Sequence, residues 1–173
     1  MKRMLWLLAS LLLISSVAMA DHIGIYSDAG GTSCSLAPGF STTATVIHKF
    51  SLGALGSRFK VVLPAGSSFF GFIPPHGFIT LGIANSDISV AYGACLSGCI
   101  VLGTITAILA PGTAQVLPAD LFPDILYANC VYDEVTATGG RAAVGGVCDD
   151  MGIDNCTVRV EPSTWGQVKS LYR

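Results

Sequence analysis

Apolar and polar positions alternate with a period of two through much of the chain. From Thr43 to Phe50, Ala44, Val46, His48 and Phe50 fall on one face and Thr43, Thr45, Ile47 and Lys49 on the other. From Arg58 to Leu63, Phe59, Val61 and Leu63 point one way. This is the period of a β-strand, whose successive side chains leave opposite faces. Similar segments recur at His22–Tyr26, Ser68–Ile73, Phe78–Ile83, Ile88–Tyr92, Thr113–Leu117, Ile125–Tyr132, Arg141–Val147 and Thr157–Val160. Gly and Pro separate them, and Ser51–Ser57 reads as a glycine-containing connection. Short strands at this spacing predict a mainly β domain, an antiparallel sandwich or a barrel-like closure of one.

The run from Cys95 to Ala110 departs from alternation. It contains no charge, is rich in β-branched residues and ends at Pro111-Gly112, which predicts a strand at the centre of a sheet. Its odd set (Val101, Ile105, Leu109) and its even set (Ile100, Leu102, Ile108) are both apolar. A single sandwich covers one face of a strand and leaves the other to water, so the surplus apolar face predicts self-association into a homo-oligomer. Helical periodicity occurs at the C-terminus. Thr164 with Gln167 fits a capping box, and Trp165, Val168 and Leu171 share a face, predicting a short helix over about 164–172.

The N-terminus changes the compartment. Lys2 and Arg3 precede an apolar run from Met4 to Ile14, and Ala18-Met19-Ala20 supplies a small-residue cleavage site. Residues 1–20 therefore read as a cleaved secretory signal, leaving 21–173 as one domain that is secreted, periplasmic or held at the cell surface. The mature part has no apolar run long enough to span a bilayer. With Lys2 and Arg3 removed, seven basic residues face eleven acidic ones. That balance gives no cationic footprint for nucleic acid. Between Val61 and Ala119 the only formal charge is Asp87, so this stretch is expected to be interior or covered by a partner.

All six cysteines, Cys34, Cys95, Cys99, Cys130, Cys148 and Cys156, lie in the exported part and are read as disulfides. In an extended strand Cys95 and Cys99 would be about 13 Å apart, beyond the roughly 7 Å a disulfide spans. They pair with each other only if Leu96-Ser97-Gly98 turns; otherwise one or both reach Cys130 or Cys34. Cys148 and Cys156 bracket a short polar loop and are the first expected pair, the other pairings staying open.

That loop also holds the candidate metal ligands. Asp149, Asp150, Asp154 and Asn155 offer three carboxylates and an amide beside Gly152, the hard oxygen set that Ca²⁺ takes, although not with EF-hand spacing. A solvated loop tip explains the same residues. Two other loci have chemistry. His22 becomes the second residue after cleavage, where its imidazole and the new amine suit copper, or where it is an ordinary surface histidine. Pro74-Pro75-His76-Gly77 lies among Phe69, Phe70, Phe72 and Phe78, either as an aromatic-lined loop for a glycan or peptide or as part of a Phe-rich core.

No catalytic motif is present: there is no nucleophile elbow, zincin helix or phosphate-cradling loop. The segments Ile23-Gly24-Ile25-Tyr26-Ser27-Asp28, Ala91-Tyr92-Gly93-Ala94-Cys95, Thr164-Trp165-Gly166 and Leu171-Tyr172-Arg173 resemble a recurring single-domain type of uncharacterised exported bacterial protein. That resemblance implies one exported domain and no particular activity. The expected function is therefore non-catalytic, a surface or extracellular domain that binds an unknown protein or glycan or serves a structural part. A small-ligand or carbohydrate-binding module is the first alternative. A hydrolase is the second, and it requires His48 or His76 to meet a Ser or Asp in a cleft.

Overall fold

Two long strands form the spine of the computed structural model, which describes residues 21–148. They are β3 (Gly39–Val62) and β6 (Asp87–Leu109). The other strands are β1 (His22–Tyr26), β2 (Ser35–Leu36), β4 (Ser68–Ile73), β5 (Ile79–Ile83), β7 (Gly112–Leu117), β8 (Ile125–Asn129), β9 (Glu134–Gly139) and β10 (Arg141–Val144). No helix occurs among the described residues. The signal segment, the C-terminal helix expected at 164–172 and the strand expected at Thr157–Val160 lie outside them.

β3 and β6 pair antiparallel from Gly39↔Leu109 to Phe59↔Ile88. On its other edge β3 meets three strands in turn: β1 along Thr45–Lys49, β8 along Ala54–Arg58, and β7 along Lys60–Val62. β6 is flanked by β4 at Thr104–Ile108 and by β5 at Asp87–Ala91. β8 and β9 form a hairpin, and β9 also pairs parallel with β1. β7, β10 and β2 continue as a second layer, with β2 parallel to β10. The result is a disulfide-bonded, sandwich-like β fold in which two short parallel pairings accompany antiparallel ladders. Its core includes Ile23, Ile25, Val46, Phe59, Val61, Ile88, Val90, Leu102, Ile105 and Val116. Each such side chain contributes roughly 1.5–3 kcal/mol when fully buried.

Such long strands persist because they bend at irregularities. The β3–β6 register shifts between Val46 and Ile47, where Val46 faces Gly103 but Ile47 faces Val101. Leu102 is the extra residue of a bulge. One inserted residue reverses the side-chain parity of everything beyond it. Ile100 and Leu102, from the even set, and Ile105 and Leu109, from the odd set, are therefore buried together. Thr104 and Thr106 share the opposite, half-buried face with Ile108. The surplus apolar face inferred from sequence is thus a bulge seen without its register, and the argument for self-association loses its basis.

Ser51–Ser57 differs from expectation too: it continues β3 rather than connecting two strands. Its register shifts at Ser51/Ala54 and Ala54/Gly56 absorb the glycines. Gly53, at φ +152°, stands against the Cys95–Cys130 disulfide; a Cβ there would lie 2.7 Å from Cys130 Sγ. The cystine needs glycine's bare backbone at this point.

The Cys148–Cys156 pairing expected from the short loop is corrected. Cys148 is bonded to Cys34, with Cα atoms 5.5 Å apart. The parallel β2–β10 pairing, Ala143↔Ser35 and Val144↔Leu36, sets Cys34 beside the start of β10, and the chain turns back after Val144 at Gly145, φ +75°, so that Cys148 returns to within 3.7 Å of the Arg141 carbonyl. The Cys148 amide donates to Ser35 Oγ there at 3.0 Å. A sulfur forms one such bond, so Cys148 has none left for Cys156.

Candidate functional site

The outward face of β8–β3–β6–β5 is a trough, and its shape follows from side-chain size in register. One row across the strands reads Ala128, Gly56, Ala91, Ile79; the next reads Leu126, Arg58, Ser89, Leu81. Gly56, Ala91 and Ser89 keep the two central strands low except at Arg58, while Leu126 on β8 and Ile79 and Leu81 on β5 stand larger at the margins. Ile79 and Leu81 on β5 are 66% and 70% exposed. Tyr132 and Phe122 rise with Leu126 on the opposite wall. The trough encloses about 380 Å³. Four strands at ~4.8 Å spacing make it about 14 Å wide.

Arg58 gives this face a fixed charge. Its Nε donates to Asp87 Oδ1 at 2.8 Å, and a terminal nitrogen donates to Asp87 Oδ2. Its guanidinium carbon lies 3.9 Å from the centre of the Phe122 ring. The paired guanidinium holds the Asp87 carboxyl below its ordinary range, and the same bond raises Arg58. A bidentate, ring-stacked arginine has little rotamer freedom left to lose on binding.

The reverse side of the same strands points into the core and carries a polar network. His48, which is fully buried, lies with Nε2 3.1 Å from Asp21 Oδ1. Its Nδ1 is 3.3 Å from the Tyr92 hydroxyl and 3.4 Å from Ser57 Oγ. Ser57 and Tyr92 are themselves in close hydrogen-bond contact. Tyr127 donates to Asp21 Oδ2 at 2.7 Å. Burial lowers the His48 pKa against the opposing pull of Asp21. A neutral imidazole donating from Nε2 to Asp21 and accepting at Nδ1 satisfies every partner. Burial also drives the Tyr92 phenol up, and it raises Tyr127 to about 12 with help from Asp21.

Ser57, His48 and Asp21 therefore meet, as a hydrolase would require, but not in a cleft. Ser57 is 5% exposed, its hydroxyl is engaged by Tyr92, and the trough opens on the opposite side of the sheet. A nucleophile needs access to a carbonyl and an oxyanion site beside it. The network instead fastens Asp21 to the core, while the Asp21 carbonyl accepts from the Thr138 amide at 2.8 Å.

The other sequence candidates separate. Phe72 packs edge-on against Phe59 and Phe78 stacks on Tyr92, while Phe69 packs on the core. Only Phe70 of the four is largely exposed, so the aromatic-lined loop around His76 does not form: alternation turns the rings inward. His22 Nδ1 is 3.0 Å from Thr138 Oγ1. Among the described residues no group of three metal-ligating side chains is assembled. Asp149, Asp150, Asp154 and Asn155 lie outside the described residues. No helix among the described residues is long and apolar enough to cross a membrane.

The trough is not marked in the sequence. Ile79, Leu81 and Ile83 were visible as one face of β5, but the floor of Gly56, Ala91 and Ala128 comes from three distant segments and exists only in register. The available signal was Ile-Thr-Leu-Gly-Ile, whose larger residues share a face while small ones alternate.

No family model and no curated protein matches the chain. Solved structures are similar to it in part. A non-cellulosomal cohesin from the hyperthermophilic archaeon Archaeoglobus fulgidus superposes with a TM-score of 0.50 at 13% identity, over 73% of this chain and 92% of that one. A type III cohesin module from the cellulosomal cell-surface anchoring scaffoldin of Ruminococcus flavefaciens gives 0.46 at 9%, over 78% and 92%. A type II cohesin domain from the cellulosome of Acetivibrio cellulolyticus gives 0.45 at 14%, over 72% and 95%. With the archaeal cohesin this chain shares a sandwich fold.

Proposed function

We propose that this chain is an exported, non-catalytic protein-binding module that takes an amphipathic helix of a partner protein into the β8–β3–β6–β5 trough. The observation that carries the reading is the trough itself: a floor of Gly56, Ala91, Ala128 and Ser89 between walls of Ile79 and Leu81 on one side and Leu126, Phe122 and Tyr132 on the other. A helix with its side chains is about 10–12 Å across, which the four-strand width accepts. Small floor residues let it approach, and apolar walls reward an i, i+3, i+4, i+7 stripe. Exposed apolar residues clustered this way are costly to keep unless something covers them. The disulfides suit an oxidising compartment and therefore export. The archaeal cohesin's fold supports a binding module, and the core location of Ser57 and His48 argues against hydrolysis.

A photo-reactive amino acid placed at Leu81, with a control at exposed Thr113 on β7, tests this in the exporting cell. The expected result is a defined protein adduct from position 81, absent from 113 and lost when Ala91→Glu fills the floor. Equal labelling from both positions, or an adduct of two copies of this chain, overturns it.

A further inference from the structure

We propose that the Cys95–Cys130 disulfide is a redox clasp on the trough: a dithiol that reduces it frees the Tyr132 wall and loosens the hold on a docked helix. The clasp rests on the trough reading and gives that site a control.

β6 leaves the sheet beside the trough floor. Ala91 pairs with Gly56 of β3 and Leu96 with Ala54, so five steps along β6 answer two along β3. The surplus is an excursion over residues 92–95. Tyr92 is buried, but Gly93, Ala94 and Cys95 are all exposed, and Gly93 has φ +75°. None of these three has a buried side chain to hold it. The disulfide holds the tip instead, through Cys130. Cys130 opens the turn that carries Val131 and Tyr132, and Tyr132 lines the trough. One covalent bond thus ties the segment leaving the floor to the wall.

The two described disulfides differ in access. Cys95 is exposed, whereas Cys34 is 3% exposed. The β3 backbone at Gly53 shields one sulfur of the pair more than the other: a Cβ added there would lie 2.7 Å from Cys130 Sγ and 3.4 Å from Cys95 Sγ. Cys95 is therefore the sulfur open to attack, and an exposed disulfide is the one that exchange reaches first. A thiolate of the reductant bonds to Cys95 Sγ and expels Cys130. The reductant's second thiol then displaces Cys95. The protein gains two electrons and two protons, and the dithiol that supplied them becomes a disulfide.

Once reduced, residues 93–95 lose their tether and the turn bearing Tyr132 loses its fixed position against β6. A wall that must be ordered on binding weakens the complex by about two- to tenfold. Linkage makes the effect reciprocal, so a docked helix protects this disulfide from reduction by the same factor.

The test equilibrates the full exported chain in dithiothreitol buffers of graded dithiol-to-disulfide ratio, traps thiols with a maleimide and maps them by mass spectrometry. Cys95 and Cys130 are expected to label at a milder ratio than Cys34 and Cys148. At that ratio amide hydrogen exchange should quicken over 92–96 and 129–133 and stay slow in β1. Labelling of Cys34 and Cys148 first, or quickened exchange across the whole sheet, overturns the clasp. A second arm reads the photo-adduct formed from position 81. Both Cys95→Ser/Cys130→Ser and the parent held at the mild ratio are expected to give about two- to tenfold less adduct than the oxidised parent. Equal yields overturn the clasp and leave the trough reading standing, whereas an oxidised parent that gives no adduct removes the trough reading and the control with it.

Discussion

His48 Nε2 and Asp21 Oδ1 sit 3.1 Å apart, joining the first described residue to a fully buried imidazole on β3. The pair predicts how stability depends on pH. Burial depresses the His48 pKa below its ordinary 6.5, outweighing Asp21; His22 adds to the depression. The remaining groups facing the ring, Tyr92, Ser57 and Tyr127, whose ring packs edge-on at 5.1 Å, stay uncharged at these pH values. The unfolded chain therefore binds the proton at a higher pH than the folded one. Stability is full above about 6.5 and is lost as pH falls below it, by up to about 1.4 kcal/mol per pH unit for one proton. The melting temperature should drop between pH 7.5 and 5. His48→Gln should lower it at pH 7.5 but flatten that dependence. An unchanged slope in the variant would place the titration elsewhere.

Strands with one buried face were legible in the sequence, because period-two alternation reports only a one-sided environment. His22–Tyr26 and Ser68–Ile73 were read at their observed ends. Ser51–Ser57 was not legible: its glycines imitate a loop, and only the pairing with β6 and β8 shows that they sit in register shifts of a continuous strand. β9 was missed because Glu134–Gly139 is short and mostly exposed, and Val135 and Ala137, which alternate with Glu134, Thr136 and Thr138 and pack on the core, are too few and too small to mark its period. The bulge at Leu102 could not be read from one strand, since parity reversal is defined against a partner. The trough was hidden for the same reason: Gly56, Ala91 and Ala128 are unremarkable singly and become a floor only side by side.

The trough reading predicts a separation between stability and binding. Ile79 and Leu81 are largely exposed, so replacing either with Asp should change unfolding free energy by no more than about 0.5 kcal/mol. Each charge would meet the apolar face of a docked helix and should cost about 2 kcal/mol or more of affinity. Thermal melting of the two variants, together with titration of the partner identified by cross-linking, checks both halves. A variant that binds as tightly as the parent would remove its residue from the interface.

The two described disulfides close loops of different length, with sequence separations of 114 for Cys34–Cys148 and 35 for Cys95–Cys130. Their chief effect in the chain-entropy model is on the unfolded ensemble. It assigns about 5 kcal/mol to the longer loop and about 4 kcal/mol to the shorter. Denaturant unfolding of Cys34→Ser/Cys148→Ser and Cys95→Ser/Cys130→Ser is expected to show that order. The reverse order would mean that contacts around Gly53, rather than loop length, decide the second bond's worth. Reduction of all disulfides should also abolish protease resistance.

Tyr132 has φ +68°, a left-handed backbone that a non-glycine residue rarely adopts. The turn after β8 imposes it: Asn129 Oδ1 accepts from the Val131 and Asp133 amides, and the Asn129 carbonyl accepts from the Tyr132 amide. A tyrosine here costs roughly 1–2 kcal/mol of backbone strain relative to a relaxed conformation, and the residue, 82% exposed, recovers little of that by burial. Strain held at an exposed aromatic on the wall of a groove is what a binding role would require. Tyr132→Gly should therefore leave stability unchanged or raise it by up to about 1 kcal/mol, while weakening partner binding. Tyr132→Phe, which keeps the wall and the strain, should preserve both. If Tyr132→Gly instead destabilises the fold and leaves binding intact, the ring serves the Cys95–Cys130 end of the sheet and the trough must be bounded by Phe122 and Leu126 alone.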